Sequence, residues 1–109
     1  MPWTEEQIDE LIENVRRDFA LERVNQKLWA KGKARRISLK LAEKAISKKS
    51  YIVEYDHNGR MIGFLDPRNY LFVAWKPDYP SEIKTCFIAD GGLDYLKRQY
   101  DVQFIWIPR

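Results

Sequence analysis

Residues 51–76 read YIVEYDHNGRMIGFLDPRNYLFVAWK, and the spacing of apolar positions in this stretch decides the fold. Tyr51 to Tyr55 and Met61 to Leu65 are runs rich in β-branched and aromatic residues, separated by Asp56-His57-Asn58-Gly59. An Asn-Gly pair between two such runs is the strongest short-range hairpin signal, because both residues tolerate positive φ. Asp66-Pro67-Arg68-Asn69 then turns the chain into Tyr70 to Lys76, a near-continuous apolar run expected to lie inside a sheet with both faces covered. Pro77 and Pro80 end it.

Toward the C-terminus, Ile83 to Ala89 reads as a fourth strand and Gly91-Gly92 as its break. Leu93 to Tyr100 follows as a short helix, and Val102 to Ile107 as a last strand stopped by Pro108. Toward the N-terminus the period changes to that of a helix. Thr4 and Gln7 have the spacing of a capping box, and Ile8, Leu11, Ile12, Val15 and Phe19 recur at helical intervals behind it. Leu21, Val24, Leu28 and Trp29 continue the pattern to Gly32, as one helix or as two with a bend near Asp18. Ser38 is placed to cap a further helix that buries Leu39, Leu41, Ala42, Ala45 and Ile46 and turns Lys40, Lys44 and Lys48 to solvent. The expected architecture is α+β, with N-terminal helices packed on one face of a four- to five-stranded, mainly antiparallel sheet. One domain spanning 1–109 is expected, with a helical part over 1–49 and a sheet part over 50–109.

Charge is distributed by segment. Residues 27–49 hold nine basic side chains against the single acid Glu43, a net +8, whereas the whole chain of 109 residues carries +3. Residues 1–26 carry a net −4 and residues 50–109 a net −1. Such a block points to a polyanion, most often a phosphate backbone, because each neutralised phosphate releases counterions. A solvated helix face is the structural alternative. Cys86 is the only cysteine and His57 the only histidine, which leaves no paired thiols for a disulfide and argues against a Cys/His metal site. No cofactor is expected, and neither a phosphate-binding glycine loop, a nucleophile elbow nor an HExxH pattern occurs. The longest apolar stretch, Tyr70 to Trp75, is far too short to span a bilayer, so a cytoplasmic protein without a membrane partner is expected.

Two stretches resemble a known group. In Lys27-Leu28-Trp29-Ala30-Lys31-Gly32-Lys33-Ala34-Arg35-Arg36-Ile37-Ser38, Arg35 precedes an Ile-Ser pair that opens the next helix, and Lys27 stands eight residues before Arg35. Further on, Ile83-Lys84-Thr85-Cys86-Phe87 has the form of an "IxTxF" closing strand. With the order helices, hairpin and apolar strand, these are similar to the Barnase/EndoU/colicin/RelE superfamily of small nucleases and toxins. One branch of that group has a histidine where Lys27 stands here. The resemblance covers roughly residues 24–89. It implies RNA cleavage without a metal, an active-site threonine at Thr85, and a cleft lined by Lys27 and Arg35; RelE-type members work with lysines, arginines and a tyrosine in place of histidine.

Metal-free cleavage of RNA needs a base for the ribose 2′-hydroxyl, cations for the charge gathering on phosphorus and a donor for the leaving oxygen. Lys27, Lys31 and Arg35 recur every four residues, and a lysine whose pKa is depressed by neighbouring cations can act as the base. With Thr85 these are the candidate catalytic residues; exposed charges at a helix end and an ordinary strand threonine are the alternatives. Arg36, Lys40, Lys44, Lys48, Arg68 and Lys84 are candidate nucleic-acid contacts, the arginine fork suiting a phosphate. Arg36 has the competing option of a salt bridge to Asp18 or Glu22. Histidine is the commonest general acid or base, but the place of His57 at the hairpin tip reads as that of a turn residue. Tyr100 reads as core. Tyr95, on the other side of its helix, is a surface tyrosine or a stacking ring, and Trp29 is a second stacking candidate.

The leading expectation is a small RNA-directed protein, a toxin-type endoribonuclease. Two alternatives stand beside it: a non-catalytic nucleic-acid-binding module of the same fold, and an interaction factor that docks an acidic protein partner such as an antitoxin. Val102 to Ile107 is expected to leave an edge able to pair with a second copy as a homodimer.

Overall fold

A computed structural model describes residues 3–22, 39–78 and 81–108. The first helix, α1, spans Glu5–Glu22. Its start is the reciprocal cap expected from the sequence: the Thr4 amide donates to Gln7 Oε1 (2.9 Å) and the Gln7 amide to Thr4 Oγ1 (3.1 Å), which satisfies two donors that the helix itself cannot. Ile8, Leu11, Val15 and Phe19 are buried along one face. The second described helix, α2, spans Leu39–Ala45 and buries Ala42 and Ala45. The expected cap at Ser38 lies outside the described residues. Arg16 fastens the two helices by donating from Nε to the Ile46 carbonyl (3.0 Å).

Five strands follow, β1 (Tyr51–Asp56), β2 (Arg60–Leu65), β3 (Leu71–Lys76), β4 (Glu82–Ile88) and β5 (Gln103–Trp106), with a short helix α3 (Leu93–Gln99) before the last. They form one antiparallel sheet in the order β4-β3-β2-β1-β5. The β1–β2 hairpin pairs Asp56 with Arg60 and turns through His57, Asn58 and Gly59; Asn58 and Gly59 have φ of 57° and 121°, the values an Asn-Gly turn is chosen for. Strand β3 is internal and buried from Leu71 to Trp75, as its apolar run implies. Strands β4 and β5 are the edges.

Because side chains alternate, each inner strand supplies two cores. Ile52, Ile62, Phe64, Leu71, Val73, Trp75, Ile83 and Cys86 face α1 and α2. A hydrogen bond crosses this core, from Trp75 Nε1 to the buried Asp18 Oδ2 (2.6 Å). Val53, Tyr55, Met61, Leu65, Phe72 and Ala74 face the other way, where Leu96 of α3 is fully buried against them. The helices therefore cover both faces: the N-terminal α1 and α2 share one, as expected, and α3 takes the other, which gives β3 the cover on both sides that its apolar run implies. Strands that are apolar at successive positions leave no polar side for water, so each face needs a cover. Among the described residues no helix is long and apolar enough to cross a membrane.

Candidate functional site

On the α3 face, at the end of the sheet formed by the β1–β2 turn, lies an open cleft of about 550 Å³. Its polar side chains are His57 and Asn58 from the turn, Lys76 from the end of β3, and Lys84 and Thr85 from β4. Its apolar and phenolic side is made by Tyr55, Met61, Phe87, Tyr95 and Tyr100. Lys76 and Lys84 give this lining its two ammonium groups.

Local irregularity brings β4 into the cleft. Ala74 pairs with Thr85 but Trp75 pairs with Ile83, so the register slips by one residue and Lys84 is the extra one. A bulge of this kind bends the strand and re-aims a side chain. The outcome is that adjacent residues, Lys84 exposed and Thr85 half-buried, reach the same cleft. Strict alternation would have sent them to opposite faces.

The floor is a run of rings in contact. Tyr100 stacks on Tyr55 with centroids 4.5 Å apart and planes at 30°, and His57 meets Tyr100 edge-on at 5.5 Å. Tyr55 touches Phe72 at 6.1 Å, Phe72 touches Phe87 at 5.5 Å, and Phe87 touches Tyr95 at 5.9 Å. Edge-to-face and offset contacts of this kind add about 0.5–1.5 kcal/mol each beyond burial, and here they fix the imidazole against the sheet. Burial, with the nearby Tyr100 phenol, pushes the Tyr55 hydroxyl far above the usual phenol value, and burial, with Tyr95, raises that of Tyr100. Both phenols stay protonated donors near neutral pH.

The residues singled out from sequence fall into three groups. Thr85, Lys84 and the stacking candidate Tyr95 line the cleft. Lys27, Lys31, Arg35, Arg36 and the stacking candidate Trp29 lie outside the described residues. Lys40, Lys44, Lys48 and Arg68 are described and lie away from the cleft. Lys40 and Lys44 are exposed on α2, which packs on the opposite face of the sheet from Thr85. Lys48 reaches back to α1, with Nζ 3.1 Å from Glu5 Oε1 and 3.0 Å from Asp9 Oδ1. Its hydrogen bonds to Asp9 and Glu5 raise its pKa. Part of the basic block is thus paired with the acidic leading helix. Arg68 donates from Nε (2.9 Å) and Nη2 (2.8 Å) to the two carboxylate oxygens of Asp66, a buried group in the β2–β3 turn. Arg68 serves that turn, and its fork is occupied.

His57, Lys76, Tyr55 and Tyr100 join the cleft without having been singled out for it by the sequence. The turn reading of His57 is correct as far as backbone goes, its amide donating to the Gly59 carbonyl (2.9 Å). Only the position of the turn beside α3 makes its ring part of a site. Tyr100, expected in the core, is half-buried and forms a wall. Compared with family models, curated proteins and solved structures, the chain finds no match.

Proposed function

We propose that the protein is a small RNA-directed factor whose α3-face cleft takes a phosphodiester and cleaves it as a metal-independent endoribonuclease. The observation that supports this most is the meeting of His57, Lys76, Lys84 and Thr85 over an aromatic floor. In this reading His57 accepts the proton of a ribose 2′-hydroxyl as its oxygen attacks phosphorus. The bond from phosphorus to the 5′-oxygen breaks, and an ammonium group of Lys76 or Lys84 supplies the proton that this oxygen needs. Charge accumulating on the non-bridging oxygens is held by the second ammonium and by the Thr85 hydroxyl as donor. The products are a 2′,3′-cyclic phosphate and a 5′-hydroxyl. The rings provide surfaces for an unpaired base. The basic segment 27–49 favours the same kind of partner. Membership of the Barnase/EndoU/colicin/RelE superfamily belongs to the same proposal, and the order of elements is compatible with it.

The test is incubation of the purified chain with a mixed-sequence RNA in the presence of EDTA. Fragments ending in 2′,3′-cyclic phosphate are expected, with the rate falling about 100-fold or more in His57→Gln and about 100-fold in Thr85→Val. Intact RNA together with salt-sensitive binding would reduce the protein to a binding module of the same fold. Intact RNA and no binding at low salt would sink the RNA reading and favour an acidic protein partner.

A further inference from the structure

A second groove of about 550 Å³ adjoins the cleft on the same face of the sheet. The two share Tyr100, which forms a wall of each. Beyond it the groove is bounded by Lys97 and Arg98 from the last turn of α3, by Asp101, and by Phe104 of β5. Lys97, Arg98 and Asp101 are exposed, and the Phe104 ring is 39% exposed although it belongs to a strand. Lys97 Nζ lies 5.8 Å from the centre of that ring, while Tyr51 meets it edge-on at 6.1 Å.

We infer that this groove is an extended binding subsite, in which a single-stranded RNA leaving the cleft crosses Tyr100 and continues along Lys97, Arg98 and Phe104. The inference rests on the function proposed above, which supplies the strand. Three features carry it. The grooves share Tyr100 as a common wall, so a chain seated in the first has the second beside it. Two cations outnumber the one carboxylate, Asp101, which suits a phosphate at the groove and leaves a polar group for a base or sugar. The ring of Phe104 is held exposed beside those cations, and an aromatic surface next to positive charge is the combination that carries a strand without reading its sequence. The cation already above the ring adds to this, since a phosphate bound by Lys97 positions the neighbouring base near Phe104.

Fluorescence anisotropy on uncleavable 2′-O-methyl oligonucleotides of two and of seven residues tests the inference. The native chain should bind the longer oligomer about tenfold tighter or more. In Lys97→Ala/Arg98→Ala that gain should be lost and the salt slope for the heptamer should fall by about 1, while dinucleotide affinity changes less than twofold. Lys84→Ala should weaken both oligomers. Phe104→Ala reports on stacking separately, and Phe104→Trp should restore the gain. Retention of the full length dependence in the double variant would overturn the subsite while leaving the cleft intact; failure of the native chain to bind either oligomer would overturn both. Since Lys97 and Arg98 are exposed, an unchanged thermal transition is expected to accompany the loss.

Discussion

His57 and Asp66 show how differently two polar residues in turns are used. His57 is exposed at a hairpin tip and packs by its edge against Tyr100, so its environment is set by a residue 43 positions later that no local pattern connects to it. If the ring's role is to take a proton while seated on that wall, Tyr100→Leu should lower the cleavage rate about tenfold or more through loss of positioning, whereas Tyr100→Phe should keep most of it; steady-state rates on one RNA separate the two. Asp66 is only 1% exposed and holds the Arg68 amide and guanidinium. Burial by itself would raise its pKa, but the hydrogen bonds from the Arg68 side chain and backbone, with the guanidinium charge, outweigh burial and lower it. A carboxyl whose folded pKa lies below its unfolded value of about 3.9 contributes stability above that pH and loses it as the pH falls through the folded value. Urea unfolding at pH 7 and at pH 3 should therefore show Asp66→Asn to be less stable than the native chain at neutrality, with the gap narrowing in acid. Gly63 faces the Phe72 ring so closely that an added Cβ would come within 2.3 Å of it. Gly63→Ala should cost about 1–3 kcal/mol, or more where the ring has no room to turn, read as a lower denaturation midpoint.

Among the elements, the capped start of α1 and the β1–β2 hairpin were legible because their signals are local. Thr4 and Gln7 are three residues apart, and Asn58-Gly59 is one step; each satisfies its own geometry before any tertiary contact forms. Thr4→Ala should accordingly cost about 1 kcal/mol without touching the cleft, a loss visible in the thermal transition and absent from RNA affinity. Pairing between α1 and β3 is a different matter. In the sequence Asp18 marks only a possible bend or a partner for Arg36, yet it is 6% exposed and accepts the indole N–H of Trp75. Asp18→Ala strands a buried donor and should cost about 1–3 kcal/mol, whereas Asp18→Asn retains an acceptor and should cost less; paired chemical unfolding curves decide it. The bulge in β4 was not legible either. Ile83 to Ala89 reads as one uninterrupted strand, and the slip that sends Lys84 and Thr85 to one cleft depends on how β4 pairs with β3.

At the scale of the whole molecule the sheet separates two charged regions. The exposed lysines of α2 lie behind it, while Lys76 and Lys84 lie in front with Thr85. Packed layers stand about 10 Å apart, and the screening length at physiological salt is about 8 Å, so the two regions act on a ligand nearly independently. Lys40→Ala/Lys44→Ala should then weaken RNA binding less than about threefold at that ionic strength, against a larger loss for Lys84→Ala in the same titration. The paired state of Lys48 with Glu5 and Asp9 shows the same segregation from the other side, since part of the +8 block answers the acidic helix. By itself, the order of residues determined what nearest neighbours and short periods can enforce: the helix start, the hairpin, an internal apolar β3, the α+β class, and Thr85 and Lys84 as residues to watch. Tertiary structure alone decided which face each element covers, that α3 sits opposite α1, and that His57, Lys76, Tyr55 and Tyr100 gather around those two. Periodicity tells a side chain which way to point from its own strand, but a site is made by the distances between strands. Those are fixed only when both apolar faces are packed.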